Sequence, residues 1–195
     1  MTGRIVFFDV ETSGLDPNVH EVIQLAAIAV EADGLNEIER FEAKVQFDVS
    51  KASPEALEIN SYNVEAWRSA KPRPMVVGQF SNFLRQHSTV QQISRRTGRP
   101  YNVAQLAGHN VASFDIAFLR AMFGSEFCPI RFIPLDTLQL ASWAMHWHPN
   151  PPSDLKLGTL AQFFEIPFDG EAHDALADVA VTVEVAKRLR DWRTS

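Results

Sequence analysis

Acidic side chains stand directly beside strongly apolar segments at three places along this sequence. Asp9 and Glu11 close an apolar run that starts at Ile5, and Asp115 and Asp178 each open one. A buried carboxylate costs several kcal/mol unless a partner neutralises its charge. If the fold brings these four carboxylates together, cations must accompany them, and Mg²⁺ and Mn²⁺ prefer such hard oxygen ligands. The sequence therefore predicts a metal-binding acidic site that the fold has to assemble.

The composition is typical of a soluble globular protein, and we expect a single domain over residues 1–195. Hydrophobic residues make up 46% of the chain and charged residues 22%. The net charge of −6 argues against a broad basic surface. It does not exclude nucleic acid as a substrate, because bound metal would mask clustered carboxylates.

The sequence gives no sign of a secreted or membrane protein. The only cysteine, Cys128, cannot form an internal disulfide. Asp9 interrupts the N-terminal apolar run too early for a signal peptide, and no apolar stretch reaches membrane-spanning length. We therefore expect a cytoplasmic protein without a membrane partner.

The first part of the chain predicts three strands, over residues 4–11, 21–31 and 37–47. The second is apolar on both faces, as expected for a central strand. Short turns at residues 14–17 and 33–34 join the strands, which favours an antiparallel meander.

Helices and further strands alternate after the meander. Helices are predicted over residues 54–60, 74–87, 112–123, 136–146, 157–164 and 175–192, and strands over 103–107 and 131–135. The basic stretch 91–101 predicts an exposed helix or loop. This order predicts an α/β fold with a central mixed five-stranded sheet (the antiparallel meander plus parallel strands) flanked by helices, as in ribonuclease-H-like proteins.

Asp9 and Glu11 are two residues apart on a strand, so their side chains leave the same face. Val6, Phe8 and Val10 then share the opposite face and can enter a core. A carboxylate pair at a strand end can chelate a metal while the following turn contacts a substrate. The alternative for this pair alone is an exposed strand end with two solvated acids.

The other two acidic positions each have a structural alternative. Asp115 lies where a strand leads into a helix, which is where open α/β sheets bind ligands, or it only stabilises the first helical turn. His173 and Asp178 are five residues apart and face one site only if His173 precedes a helix capped by Asp174. His173 would then be placed as a general base; alone, it would be a solvated surface histidine.

Together these segments resemble the three motifs of the DEDDh family of 3′→5′ exonucleases, which includes bacterial proofreading subunits and ribonuclease T. The first is Phe8-Asp9-Val10-Glu11-Thr12-Ser13-Gly14-Leu15. The second combines His109-Asn110 with Phe114-Asp115, and the third is His173-Asp174-Ala175-Leu176-Ala177-Asp178. One departure is the three residues between Asn110 and Phe114, where many members have two.

The resemblance implies two Mg²⁺ or Mn²⁺ ions held by four carboxylates. Asp9 would bridge both ions, Glu11 and Asp178 would hold the one that activates water, and Asp115 would serve mainly the second. His173, together with Glu11, would be catalytic, with His173 taking the proton from the attacking water. Substrate-binding positions implied by the resemblance are Thr12, Ser13, Gly14, Asn110 and Tyr62.

The implied reaction is hydrolysis at the 3′ end of single-stranded DNA, with release of nucleoside 5′-monophosphates. An exoribonuclease acting on RNA ends or short oligomers is an open alternative, because no motif exposes the environment of the 2′-OH. A non-catalytic nucleic-acid-binding module is a third. A polymerase or repair protein is a possible partner class.

Overall fold

The mixed five-stranded sheet predicted from the sequence forms the centre of the protein. The structure is a computed structural model, and the residues it describes are 3–131, 133–168 and 174–192. Its strands are β1 (Arg4–Thr12), β2 (Val22–Glu31), β3 (Glu37–Lys44), β4 (Val90–Ile93), β5 (Pro100–Val103), β6 (Gln105–Gly108) and β7 (Leu135–Asp136). Its α-helices are α1 (Pro54–Ile59), α2 (Arg73–Gln86), α3 (Asp115–Phe123), α4 (Thr137–Met145), α5 (Leu157–Phe163) and α6 (Ala175–Trp192).

The strand order in the main sheet is β3-β2-β1-β6-β7. The antiparallel meander is confirmed, since β1 pairs with β2 and β2 with β3 in antiparallel registers. β6 joins β1 in parallel, and β7 joins β6 in parallel. Residues 22–30 of β2 are buried without exception, which explains why this strand is apolar on both faces.

Helices cover both faces of the sheet. On one face Phe8 packs with Phe80 of α2 and Phe118 of α3 in a large buried cluster. On the other face Phe7 packs with Val179 of α6. Side chains of this size each stabilise the fold by about 1.5–3 kcal/mol when fully buried. Because alternate residues of a strand share a face, Asp9 and Glu11 lie on the face of β1 that carries Phe7.

Two predicted elements are wrong. The stretch 91–101 is neither helix nor loop but a hairpin of β4 and β5, in which Gln92 lies opposite Tyr101. Gly98, at φ 65°, allows the tight turn that closes it. The strand predicted over residues 131–135 is reduced to Leu135 and Asp136, consistent with Pro134, which has no N–H to donate to a ladder.

Cys128 lies half-buried beside the large core cluster. Burial raises the pKa of its thiol to about 12. The thiol is therefore protonated at neutral pH, as expected for a packing residue. None of the described helices has the length and apolar character needed to cross a membrane.

Gly108 ends β6 at a point where the backbone has no room for a side chain. A Cβ at this position would lie 2.7 Å from the Phe8 carbonyl oxygen and 2.2 Å from Cγ1 of Val111. The first of these neighbours belongs to the β1 backbone and cannot move without disturbing the sheet. The absence of a side chain at Gly108 therefore sets how closely the chain after β6 approaches β1.

We expect Gly108→Ala to lower the free energy of unfolding by about 1–3 kcal/mol, the usual cost of overpacking a filled site. Gly78, in exposed space on α2, is the matched control. Gly78→Ala should raise stability by about 0.5–1 kcal/mol, because alanine is the better helix former. Urea denaturation of both variants tests this; equal effects on the two would contradict the close approach at Gly108.

Candidate active site

The site is built where β1 continues beyond its parallel partner. β6 pairs with β1 from Ile5 to Phe7, and β1 then runs on through Asp9 and Glu11. Both acids lie on the same face as Phe7, toward α6. The strand end thus presents two carboxylates next to the position at which α6 begins.

The start of α6 brings the third carboxylate. Asp174 caps this helix, accepting hydrogen bonds from the backbone N–H groups of Leu176 (3.0 Å) and Ala177 (3.2 Å), which confirms its predicted capping role. One carboxylate oxygen each from Asp9, Glu11 and Asp178 lie within 4.8 Å of one another. Three of the four predicted metal ligands therefore converge.

Asp115 lies next to this group but is held differently. It is buried at the first turn of α3, and its Oδ1 accepts a hydrogen bond from the Val10 N–H at 3.1 Å. That N–H belongs to the part of β1 that β6 no longer pairs. Among the described residues Asp115 is outside the group of three, yet its charge raises the pKa of Asp9.

Burial and mutual repulsion disfavour the ionised forms of the described carboxylates in this cluster. Burial, followed by repulsion from Asp115, Glu11 and Asp178, holds the pKa of Asp9 well above its ordinary value. Burial and the Asp178 charge raise the pKa of Glu11 to about 8. Burial raises that of Asp115 to about 7, against the hydrogen bond from Val10. The donor atoms are all carboxylate oxygens, so the cluster fits a hard divalent cation.

Asp136 organises the neighbouring loop, as the cap of α4 rather than as a ligand. Its Oδ1 accepts from the N–H groups of Leu138 (2.9 Å) and Asn110 (3.0 Å), and its Oδ2 from Ala112 (3.0 Å). Asn110 has a left-handed backbone, at φ 62°, which asparagine tolerates. These bonds fold the loop that contains the extra residue and leave Asp115 at the start of α3.

The turn after β1 is held by its own polar groups. Thr12 Oγ1 donates to the Gly14 carbonyl oxygen at 2.7 Å, and Ser13 Oγ accepts from the Glu21 N–H at 2.9 Å. Asn60, which sequence reasoning missed, is buried and donates from Nδ2 to the Thr12 carbonyl oxygen at 2.9 Å. The sequence signal was weak, because an asparagine after a short helix usually only ends it.

Tyr62 and His173 are the remaining predicted site residues. Tyr62 is half-buried between Phe47 and Trp67, with ring-centroid distances of 5.3 and 5.1 Å. It therefore packs in a small aromatic cluster. His173 lies outside the described residues, and its role remains a prediction from the sequence.

Comparison with known proteins gives consistent matches. A family model described as an exonuclease of RNase_T type matches residues 6–97. Ribonuclease T of Actinobacillus pleuropneumoniae is 28% identical, over 95% of this chain and 84% of its own length. An oligoribonuclease of Corynebacterium efficiens is 24% identical, over 98% of this chain and 78% of its own.

Solved structures match the fold. The crystal structure of E. coli Exonuclease I in complex with a dT13 oligonucleotide superposes with a TM-score of 0.77 at 21% identity. The match covers 98% of this chain but 42% of that protein, so this chain spans less than half of Exonuclease I. The shared architecture is the ribonuclease-H-like sheet with its flanking helices.

Fold and acidic cluster together define a nuclease-type hydrolase. With the match over residues 6–97 and the ribonuclease T and oligoribonuclease relatives, they make this chain similar to the DEDDh exonucleases and support a 3′–5′ exonuclease.

The raised carboxyl pKa values predict how stability depends on pH. A carboxyl group that binds protons more tightly in the folded state stabilises the fold below its unfolded pKa, near 4, and loses this contribution as pH rises through its folded pKa. For Glu11 and Asp115 the folded values are about 8 and about 7. The metal-free protein should therefore melt several degrees lower at about pH 8 than at about pH 5.

Thermal melts with EDTA and with Mg²⁺ test this expectation. Mg²⁺ should raise the melting temperature more at about pH 8, because protons then compete less for the carboxylates. Asp9→Asn should flatten the pH dependence, whereas the exposed Glu65→Gln should leave it unchanged. A metal-free protein that gains stability over this pH range would contradict the charge balance described here.

Proposed function

We propose that this enzyme removes nucleotides one at a time from the 3′ end of single-stranded DNA and releases nucleoside 5′-monophosphates. The activity is assigned to residues 1–195 acting as one domain. The observation that carries the proposal is the meeting of Asp9, Glu11 and Asp178 within 4.8 Å at the open end of β1. The position fits the substrate, because the C-terminal ends of strands in open α/β sheets are where ligands bind.

Two divalent ions, Mg²⁺ or Mn²⁺, are the proposed cofactors. Asp9 is assigned to both, Glu11 and Asp178 to one, and Asp115 mainly to the other. When bound, such ions supply positive charge for the attacking and leaving oxygens of an in-line displacement and lower the pKa of water. The raised pKa of Asp9 supports this assignment, because it reflects burial and repulsion among the described carboxylates, both of which a bound cation would relieve.

The remaining chemistry is assigned to protein groups. His173 takes a proton from water as the water oxygen attacks the terminal phosphorus, and the bond from phosphorus to the preceding 3′ oxygen breaks. Thr12, Ser13 and Gly14 position the terminal nucleotide beside the acids. Their internal hydrogen bonds keep this turn in one conformation before substrate arrives.

Two weaker assignments complete the substrate site. Asn110 contributes its side chain, because its backbone N–H is already bound by Asp136. Tyr62 offers a base only the part of its ring that Phe47 and Trp67 leave exposed. A polymerase or repair protein is the proposed partner class, supported by the presence of PolC-type DNA polymerase III among the relatives.

RNA is the second candidate substrate. Relatives that this chain matches over most of their length include a ribonuclease T and oligoribonucleases, whereas the matching Exonuclease I structure holds a DNA oligomer. Discrimination between the two sugars requires a contact at the 2′-OH. A direct comparison of matched oligomers decides between them.

The test is digestion of 5′-labelled DNA and RNA of one sequence, about 20 nucleotides long, with Mg²⁺, Mn²⁺ or EDTA. We expect progressive shortening from the 3′ end with either ion, none with EDTA, and faster loss of DNA. Asp9→Asn should abolish turnover, because Asp9 is assigned to both ions, while the protein stays folded by circular dichroism.

Two outcomes would overturn the proposal. Internal cuts in circular single-stranded DNA would indicate an endonuclease. Retention of more than a few per cent of activity in folded Asp9→Asn would refute the site assignment. Faster hydrolysis of RNA than of DNA would instead identify RNA, the second candidate, as the preferred substrate.

His173→Ala should lower turnover roughly 10²–10⁴-fold, the usual contribution of a positioned general base. Metal affinity should change little, because all four carboxylates remain. The rise of the rate with pH through the histidine titration should flatten in the variant. A folded His173→Ala enzyme with near-normal turnover at neutral pH would remove this residue from the mechanism.

A further inference from the structure

The hairpin of β4 and β5 carries a cluster of positive charge in a part of the sequence that has no acidic residue. From residue 66 to residue 114 the sequence contains no Asp or Glu, so all 24 acidic residues lie elsewhere. The turn between the two strands carries Arg95, Arg96 and Arg99, all exposed. The active-site chemistry described above uses none of them.

These three arginines are free to meet a ligand. Three other basic side chains of this segment have protein partners: Arg68 pairs with Glu65 at 2.7 Å, Lys71 Nζ donates to Gln79 at 3.1 Å, and Arg85 donates to Asn82 at 3.1 Å. For the turn arginines, no ion pair with any described residue is found. Three guanidinium groups within five residues repel one another, so an anionic partner would stabilise them.

Aromatic and apolar side chains lie beside the charges. A groove lined by the turn arginines also contains Tyr101, Phe127 and Ile93. Phe127 and Ile93 are each 61% exposed, and the Tyr101 ring meets Phe127 at a centroid distance of 6.3 Å. Positive charge that binds a backbone, next to rings on which bases stack, is the combination found in proteins that bind single strands.

The groove lies at the opposite end of the sheet from the carboxylates. The Arg4 N–H, at the start of β1, donates to Thr89 Oγ1 at 2.9 Å, directly before β4. Phe127 follows the C-terminal end of α3, the helix that starts at Asp115. Since β1 advances about 3.3 Å per residue, Glu11 lies about 23 Å from the base of the hairpin. A stacked strand spans this distance with about seven nucleotides.

We propose that the hairpin groove binds the single-stranded substrate several nucleotides upstream of the 3′ end under hydrolysis. This inference rests on the proposed function and extends it, because it makes affinity depend on substrate length. The arginines bind phosphates, and Tyr101 and Phe127 contact bases. An acidic protein or an anionic membrane is a different class of partner, and the test separates them.

The experiment compares wild type with Arg95→Gln/Arg96→Gln/Arg99→Gln on DNA oligomers from a trinucleotide to about 20 nucleotides. The variant should raise KM for the longest oligomer about tenfold and leave kcat within about twofold. KM for the trinucleotide should not change, because it is too short to reach the groove. The triple Lys variant should retain most of the affinity, because it keeps the charge.

Salt dependence gives a second measure that needs no turnover. Each phosphate contact contributes about −0.7 to the slope of log K against log salt for single strands. For the long oligomer in EDTA, the magnitude of this slope should therefore be smaller by about 2 in the Gln variant than in wild type. In the Lys variant the slope should equal that of wild type. A control triple, Arg40→Gln/Lys187→Gln/Arg188→Gln, removes three charges elsewhere and should keep the slope.

The outcomes separate this inference from the proposed function. If wild type hydrolyses no oligomer, the proposed function fails, while the binding slope still tests the groove. An unchanged slope, an equal loss in the control triple, or an equal loss of activity on the trinucleotide would overturn the inference. So would unchanged oligomer binding in a Gln variant that loses binding to phosphatidylserine vesicles.

Discussion

The early end of the parallel pairing between β1 and β6 is the constraint on which the site depends. Pairing stops at Phe7 and Ala107, where Gly108 approaches the Phe8 carbonyl too closely for a side chain. Beyond this point β1 has space beside it, and Asp115 enters to accept a hydrogen bond from Val10. A longer pairing would satisfy that N–H with backbone and leave no place for the acid. The carboxylates can therefore approach one another because β1 and β6 separate after Phe7 and Ala107.

Much of the site could be predicted from sequence because each acid belongs to an element with a strong local pattern. Asp9 and Glu11 lie on an apolar strand that is largely buried on both faces, and Asp178 follows a capped helix start. What could not be predicted depends on contacts between distant segments. Asn60 contacts Thr12, 48 positions away in the sequence. The hydrophobic periodicity of a segment gives no information about such a contact. The hairpin was missed because each of its strands has only four residues, too few for a period of two to be recognised in the sequence.

The fold places negative charge at one end of the main sheet and positive charge at the other. Acids collect at the C-terminal end of β1, where burial makes their ionisation unfavourable. Arginines collect at the other end, on a hairpin exposed to water, where charge costs little. An overall net charge of −6 conceals this separation. Net charge alone is therefore a poor guide to which polymers this chain can bind, because the local field at each end has its own sign.

The single thiol has a practical consequence. Cys128 is the only cysteine in the sequence, and its raised pKa keeps it from reacting as a thiolate near neutrality. The native chain thus offers almost no background to thiol-directed reagents. A cysteine introduced on the hairpin turn would be labelled selectively, so a fluorophore could report its position during turnover without rebuilding the rest of the molecule.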